Sequence, residues 1–379
     1  MLECFKDMRE GIALLKRFLV QRAYTRKLIL WAQEDGVISA LEKSGVFTAQ
    51  GYLSALETGL GYKMQDEARR RMALVLLDFL EESGRLKAMP SREAMRTYAV
   101  VPDARLPEPL SFTDMEMMES VLESKTAFLD RCIERAGGFL RGKDYLYDFD
   151  GSRMVDAGEA WDRFLGNYEF NLAREFLAKA MSADVADTAR REIMDLCCGT
   201  GHGIEAISRS RPDAVITALD FTDTLRPIAL ARAASSGARV LWPSAVWKGF
   251  GHGLPFEDSR FDMALFSCGD PYIRQEEREA VYAEIKRVLR PGGVLGAVAW
   301  GYPDKQRRHI RNSWVRLGVY IHDFAESVCA GWQGFHDIDE TVRMARRLGF
   351  IPANPFFDDF YMLDTAVWTF KKPEAARRG

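Results

Sequence analysis

Residues 193–203 read Ile193-Met194-Asp195-Leu196-Cys197-Cys198-Gly199-Thr200-Gly201-His202-Gly203. A short apolar run carrying an acid passes into a glycine-rich turn, and an amphipathic segment follows. The run reads as a buried strand and the segment after it as a helix. Glycine has no Cβ, so such a turn lets the backbone lie close against a bound ligand. Alone, a glycine-rich turn is a weak signal, and its meaning depends on the chain around it.

Outward from the turn, short apolar runs alternate with amphipathic stretches. Residues 193–197, 214–220, 239–242, 261–266 and 294–300 read as buried strands. Residues 204–209, 225–234 and 276–289 read as the helices between them. This alternation predicts a mostly parallel, doubly wound α/β sheet with helices on both faces. Arg290-Pro291-Gly292-Gly293 reads as a turn before the fifth strand, and residues 356–371 as an antiparallel pair closing the sheet. Asp220 stands at the end of the second strand, 25 residues beyond Asp195. An acid there accepts hydrogen bonds from two ribose hydroxyls. Leu254-Pro255-Phe256-Glu257-Asp258 then precedes the fourth strand.

Together these motifs resemble the class I S-adenosylmethionine-dependent methyltransferases. The family's first motif matches residues 195–201, its strand-two acid matches Asp220, and its Leu-Pro-Phe and Leu-Arg-Pro-Gly-Gly segments match residues 254–256 and 289–293. The resemblance implies a Rossmann-like methyltransferase core over residues 186–379, with S-adenosyl-L-methionine as cofactor. It places the methionine moiety by Asp195, Cys197, Gly199, Thr200 and Gly201. Asp220 would hold the ribose, with Phe221 beside the adenine and Gly253 at the adenine edge. Ser267 would face the reacting centre. Cys197 stands where the family has its first glycine, and reads as a small apolar residue there.

The first 110 residues read as helices followed by two short strands, 85–89 and 96–101. Thr48 reads as an N-cap, and residues 65–82 form a helix with Met72, Val75, Leu76, Phe79 and Leu80 on one stripe. The order is that of a winged helix, and the resemblance implies a dimerisation domain, hence a homodimer. Arg69-Arg70-Arg71 suggests DNA binding instead. Against that, the segment holds 17 basic and 15 acidic residues, too even a balance for a nucleic-acid coat. A proline-bearing stretch, 102–109, separates this domain from linking and capping helices over residues 111–185. There Thr113 with Glu116 reads as a capping box, Gly137 and Gly138 as a helix end, and residues 161–181 as a helix.

The chain of 379 residues, with 47% apolar and 28% charged residues and a net charge of -3, excludes wholesale disorder and a general polyanion-binding role. No apolar run reaches the length of a membrane span. Residues 12–20 are interrupted by Lys16 and Arg17 and do not read as a signal peptide. Six cysteines without metal-ligand spacing point to free thiols, a cytoplasmic protein and no metal.

One departure from the family bears on mechanism. Small-molecule O-methyltransferases carry a histidine base after strand four. Here that stretch is Phe266-Ser267-Cys268-Gly269-Asp270-Pro271-Tyr272. Asp270 and, more remotely, His309 are the candidate polar groups for the acceptor pocket, and Tyr168 would cap the sulfonium. Without a base the expected acceptor is a small-molecule amine, carboxylate or activated carbon, methylated by proximity. The alternative is a cyclase, similar to azetidine-2-carboxylate synthases, in which the α-amine of S-adenosylmethionine attacks its own γ-carbon and releases methylthioadenosine. A second alternative is a regulatory binding protein with an inactive core.

Overall fold

The computed structural model describes residues 8–89, 96–149, 153–184, 191–243, 247–302, 310–352 and 365–374. The chain forms two compact units, residues 1–148 with 305–334, and residues 149–304 with 335–379. This differs from the expected division at 110 and 185. The linking helix belongs to the first unit, the capping helices to the second, and a later segment returns to the first.

In the first unit come α1 (Met8–Glu34), α2 (Val37–Ser44), β1 (Val46–Thr48), α3 (Ala49–Leu60), α4 (Glu67–Glu82), β2 (Leu86–Met89), β3 (Thr97–Val100) and α5 (Phe112–Leu140). Thr48 caps α3 as expected, its hydroxyl accepting from Gly51 N at 3.1 Å. The strands form one antiparallel sheet in the order β1-β3-β2. β1, three residues long, has too little pattern to be seen in the sequence. The cap of α5 is Ser111, whose Oγ accepts from Asp114 N; the Thr113–Glu116 capping box does not form. Nor do Gly137 and Gly138 end that helix. A Cβ on Gly137 would sit 2.6 Å from the Asp35 carboxylate, which passes there to pair with Arg141 at 2.8 Å. The glycine serves close approach, and the helix continues to Leu140.

Of the three adjacent arginines, Arg69 pairs with Asp66 and donates to Phe139 O, and Arg71 pairs with buried Asp323 at 2.8 Å. Two of the three are therefore committed inside the unit rather than displayed as a basic face.

The second unit holds α6 (Arg153–Leu165), α7 (Tyr168–Asp184), β4 (Glu192–Leu196), α8 (His202–Ser210), β5 (Val215–Leu219), α9 (Arg226–Ser236), β6 (Arg239–Leu241), β7 (Phe261–Ser267), α10 (Arg278–Val288) and β8 (Leu289–Tyr302). The chain then contributes α11 (Ile310–Glu326) to the first unit, and returns as β9 (His336–Asp337), α12 (Ile338–Arg347), β10 (Ile351–Pro352) and β11 (Thr365–Lys371). The single helix expected over 161–181 is two, broken at Gly166-Asn167.

The sheet order is β10-β11-β8-β7-β4-β5-β6, with β9 beside β8. Strands β4 to β8 run parallel. β11 lies antiparallel to β8 from Thr365↔Trp300 to Lys371↔Val294; residues 356–364, the other half of the expected antiparallel pair, lie outside the described residues. Arg290–Gly293 forms a bulge inside β8, since the register jumps from Phe261↔Leu289 to Met263↔Val294. One face buries Leu177 and Met181 of α7 with Ile204, Ile207 and Ala229. The other buries Tyr282, Ile285, Ile338 and Val342. This is the mixed α/β, Rossmann-like architecture expected. Its strand order reverses between β4 and β7, which opens a crevice at their carboxyl ends, the usual ligand position in such sheets.

Candidate functional site

A cleft lies at that crevice. It is lined from β4 and the glycine turn by Asp195, Cys197, Cys198, Gly199, Thr200, His202 and Gly203; from the end of β5 by Asp220, Phe221 and Thr222; and from the end of β7 by Ser267, Cys268, Gly269 and Tyr272. Trp161 and Leu165 of α6, Arg174 of α7, Phe149 and Phe250 complete it. Cys197 and Cys268 both hold positive φ, 57° and 61°, where a side chain other than glycine is strained. The two strained turns end the two central strands and face the same space.

Charge in this cleft is unbalanced locally. Asp195 is 1% exposed, and neither carboxylate oxygen completes a hydrogen bond. Burial pushes its pKa up to about 7, against the pull of Arg174 and the Ile204 N–H, with Asp220 raising it further. The approach is close: a Cβ on Gly203 would lie 2.5 Å from that carboxylate. Asp220 accepts from Gly199 N at 2.8 Å and Thr222 N at 3.3 Å. Removal from water still lifts it to about 6, with these N–H groups opposing.

Arg174 is the cation of the site. Its Nε donates to Ser267 Oγ at 2.9 Å, its Nη1 to Leu165 O at 2.7 Å, and its Nη2 lies 3.7 Å from Cys268 Sγ. It is 3% exposed, and burial lowers its pKa. Among the described residues no ion pair to a carboxylate is formed by this guanidinium. A buried carboxylate and a buried guanidinium thus line one cleft without neutralising each other, an arrangement costly in isolation and complementary to a ligand bearing both charges.

Of the residues singled out in the sequence, the structure brings Asp195, Cys197, Gly199, Thr200, Asp220, Phe221 and Ser267 together in this cleft. Gly201 caps α8 (φ 86°) and faces Ala229 rather than the cleft. Gly253 lies in an exposed loop beside Glu284; it is Phe250 of that segment that reaches the cleft. Tyr168 begins α7 and is not among the lining residues, whereas Trp161 and Tyr272 are. Asp270 is turned away. Its carboxylate takes hydrogen bonds from Arg278 Nη2 at 3.0 and 2.9 Å and from Tyr282 OH at 2.9 Å. With Arg278 1% exposed and Asp270 3% exposed, this is an internal ion pair tying the turn after β7 to α10, not an acceptor-pocket group. His309 lies outside the described residues. Arg174 was missed by the sequence reading. Its signal was an arginine within the stripe Phe170, Arg174, Leu177, Met181, otherwise apolar and buried throughout, where an unpaired charge needs a reason.

Comparison with known proteins agrees with this geometry. Residues 193–293 match the family described as "Methyltransferase domain". A demethylmenaquinone methyltransferase of Lactococcus lactis is 31% identical over 127 residues, 33% of this chain and 48% of that protein; the chain thus spans about half the length of that curated relative. The crystal structure of DszA carbon methyltransferase is similar at a TM-score of 0.64 and 16% identity, covering 97% of this chain and 93% of that one. An O-methyltransferase family 2 protein from Planctomyces limnophilus, solved with apigenin, is similar at 0.55 and 16% identity over 94% and 95%. The core has the class I S-adenosylmethionine-dependent methyltransferase fold, and S-adenosyl-L-methionine is the cofactor that goes with it. The donor set fits that group: an unsatisfied buried carboxylate, a buried guanidinium, a strand-two acid and an apolar wall. Among the described residues no cluster of three or more potential ligands is placed to hold a metal ion, and no helix is long and apolar enough to cross a membrane.

Proposed function

We propose that this protein transfers a methyl group from S-adenosylmethionine to a small-molecule acceptor that needs no side-chain base. Asp195 takes the α-ammonium of the cofactor, Arg174 its carboxylate, and Asp220 its ribose hydroxyls, while Phe221 and Phe250 border the adenine. The observation that carries this reading is the pairing of unneutralised Asp195 and Arg174 across one cleft. When bound, the cofactor supplies a methyl group on a sulfonium, open to in-line attack. The chain's own part is to hold the two reactants and exclude water. Positioning of this kind is worth up to about 7–11 kcal/mol of barrier.

The acceptor class follows from what lines the cleft. His202 is the imidazole found there. Its Nε2 faces two acceptors, Asp162 Oδ1 at 3.0 Å and Asp162 O at 3.2 Å, so that nitrogen carries the proton. Burial lowers the pKa of the ring. Among the described residues no imidazole stands at the end of β7, which favours an amine, a carboxylate or an activated carbon over an ordinary hydroxyl. Aromatic faces from Phe149, Trp161 and Tyr272 also suit a cation, and this keeps the cyclase as a second reading. The segment from α2 to β3 has the strand and helix order of a winged helix, and we assign it to homodimerisation.

The test is purified protein incubated with S-adenosylmethionine and no acceptor, followed by mass spectrometry. Binding without consumption, then S-adenosylhomocysteine formation with amine, carboxylate or carbon acceptors, is the expected result. Rapid release of methylthioadenosine with a new amino acid would establish the cyclase instead. Failure to bind the cofactor at all would leave the regulatory reading.

A further inference from the structure

Asp162 of α6 does not line the cleft, yet it is the most heavily engaged acid near it. Both its oxygens accept from Arg232 Nη2 of α9, each at 2.8 Å. Its Oδ1 also takes His202 Nε2 from the first turn of α8. Arg232 in turn donates through Nε to Thr200 O at 3.1 Å and pairs with Glu205 at 3.3 Å. One carboxylate therefore ties α6 to the glycine turn, to α8 and to α9. Burial acts to raise the pKa of Asp162, but the hydrogen bond from His202 and the charge of Arg232 outweigh it and hold it at about 2.

What α6 covers gives this tie its meaning. Trp161 and Leu165, flanking Asp162 in the same helix, form part of the cleft wall opposite the glycine turn. The cavity measures about 70 Å³, whereas clefts for small molecules run to roughly 300–1,000 Å³. The cleft is open to solvent on one side, so the position of the α6 wall decides how closely a nucleoside-sized ligand is covered. The sheet walls are strand ends locked by ladder hydrogen bonds. α6 is instead held against the cleft by side chains, among them the aromatic contacts of Trp161 and Phe164, and to these Asp162 adds an ion pair with Arg232.

We propose that Asp162 is a positioning residue that fastens α6 over the cleft, so that its pair with Arg232 sets how long the cofactor stays bound. This rests on the methyltransferase reading above. Opening requires the pair to part, and closure re-forms it. Both partners are partly exposed, at 23% and 22% of their side chains, so water can take up the separated charges and the pair can break and re-form reversibly.

The experiment is stopped-flow displacement of S-adenosylhomocysteine from wild type, Asp162→Ala, Arg232→Ala and the double variant. The dissociation rate should rise at least tenfold in each single variant, with the association rate unchanged or raised. The double variant should release no faster than the singles, because one tie is broken in all three. An unchanged dissociation rate in a folded variant, or a fall confined to the association rate, overturns the proposal. Should Asp162→Ala fail to fold, Arg232→Ala carries the same test. A wild-type protein that binds no S-adenosylhomocysteine overturns the methyltransferase reading itself, an outcome distinct from failure of the tie.

Discussion

Strands β4 and β7 are neighbours, and an acid stands at or just beyond the carboxyl end of each. Beyond β7, Asp270 meets Arg278 and Tyr282, and Arg278 also donates to Thr341 Oγ1 at 2.9 Å. Every charge there is answered within the unit. In β4, Asp195 is as deeply buried, yet neither oxygen completes a hydrogen bond and its pKa rises to about 7. Burial alone does not separate these two acids; satisfaction does. A satisfied buried acid holds the fold together. An unsatisfied one, beside a glycine turn and across from an unpaired guanidinium, lowers the stability of the unliganded protein and is relieved by a ligand.

The comparison breaks most easily at its satisfied side. Asp270→Ala leaves Arg278 buried without its counter-charge, and should destabilise the protein by about 3–5 kcal/mol in urea unfolding. Cofactor affinity per folded molecule should change little. Full stability with lost turnover would return Asp270 to the acceptor pocket.

At the unsatisfied side, Asp195→Asn should weaken S-adenosylmethionine binding by roughly 10- to 100-fold, corresponding to about 1.5–3 kcal/mol for a hydrogen bond to a charged group. The same change should raise the melting temperature of the unliganded protein at pH 8, because it removes a buried charge. Loss of both affinity and stability would show Asp195 to be structural.

A pH series sharpens the same contrast. Asp195 and Asp220 have raised pKa values when folded, about 7 and about 6. Between the ordinary carboxylate range near 4 and those values, the folded chain holds protons that the unfolded chain has lost. The stabilisation these protons give is full below pH 4 and disappears as pH rises through 6 to 7. Cofactor binding should move the other way, weakening below about pH 7 as first Asp195 and then Asp220 protonate. Calorimetric binding measured from pH 5.5 to 8 would reveal either trend.

The smallest effect is expected at Tyr168, which does not line the cleft. Tyr168→Phe should alter affinity and turnover by no more than about twofold, the range of substitutions away from packed or charged features. A large loss of turnover alone would bring it back as a cap over the sulfonium.

What the sequence made legible was local. The parallel strands, the glycine turn and Asp220 are written as periodicity and turn chemistry within a few residues of one another. What it hid depends on partners far along the chain. Asp270 looks like a pocket residue until Arg278 and Tyr282 fold onto it. Arg174 looks like a helix surface residue until its place in the apolar stripe is counted. Gly137 looks like a helix end until Asp35 crosses it.

The most direct test of the central claim is titration calorimetry of S-adenosylmethionine into wild type and Asp220→Ala at pH 8. The account predicts saturable one-site binding to wild type and a loss of at least tenfold in affinity for the variant, with the fold retained. Equal affinity for both proteins would contradict the assignment of the cleft and, with it, of the whole core as a cofactor site.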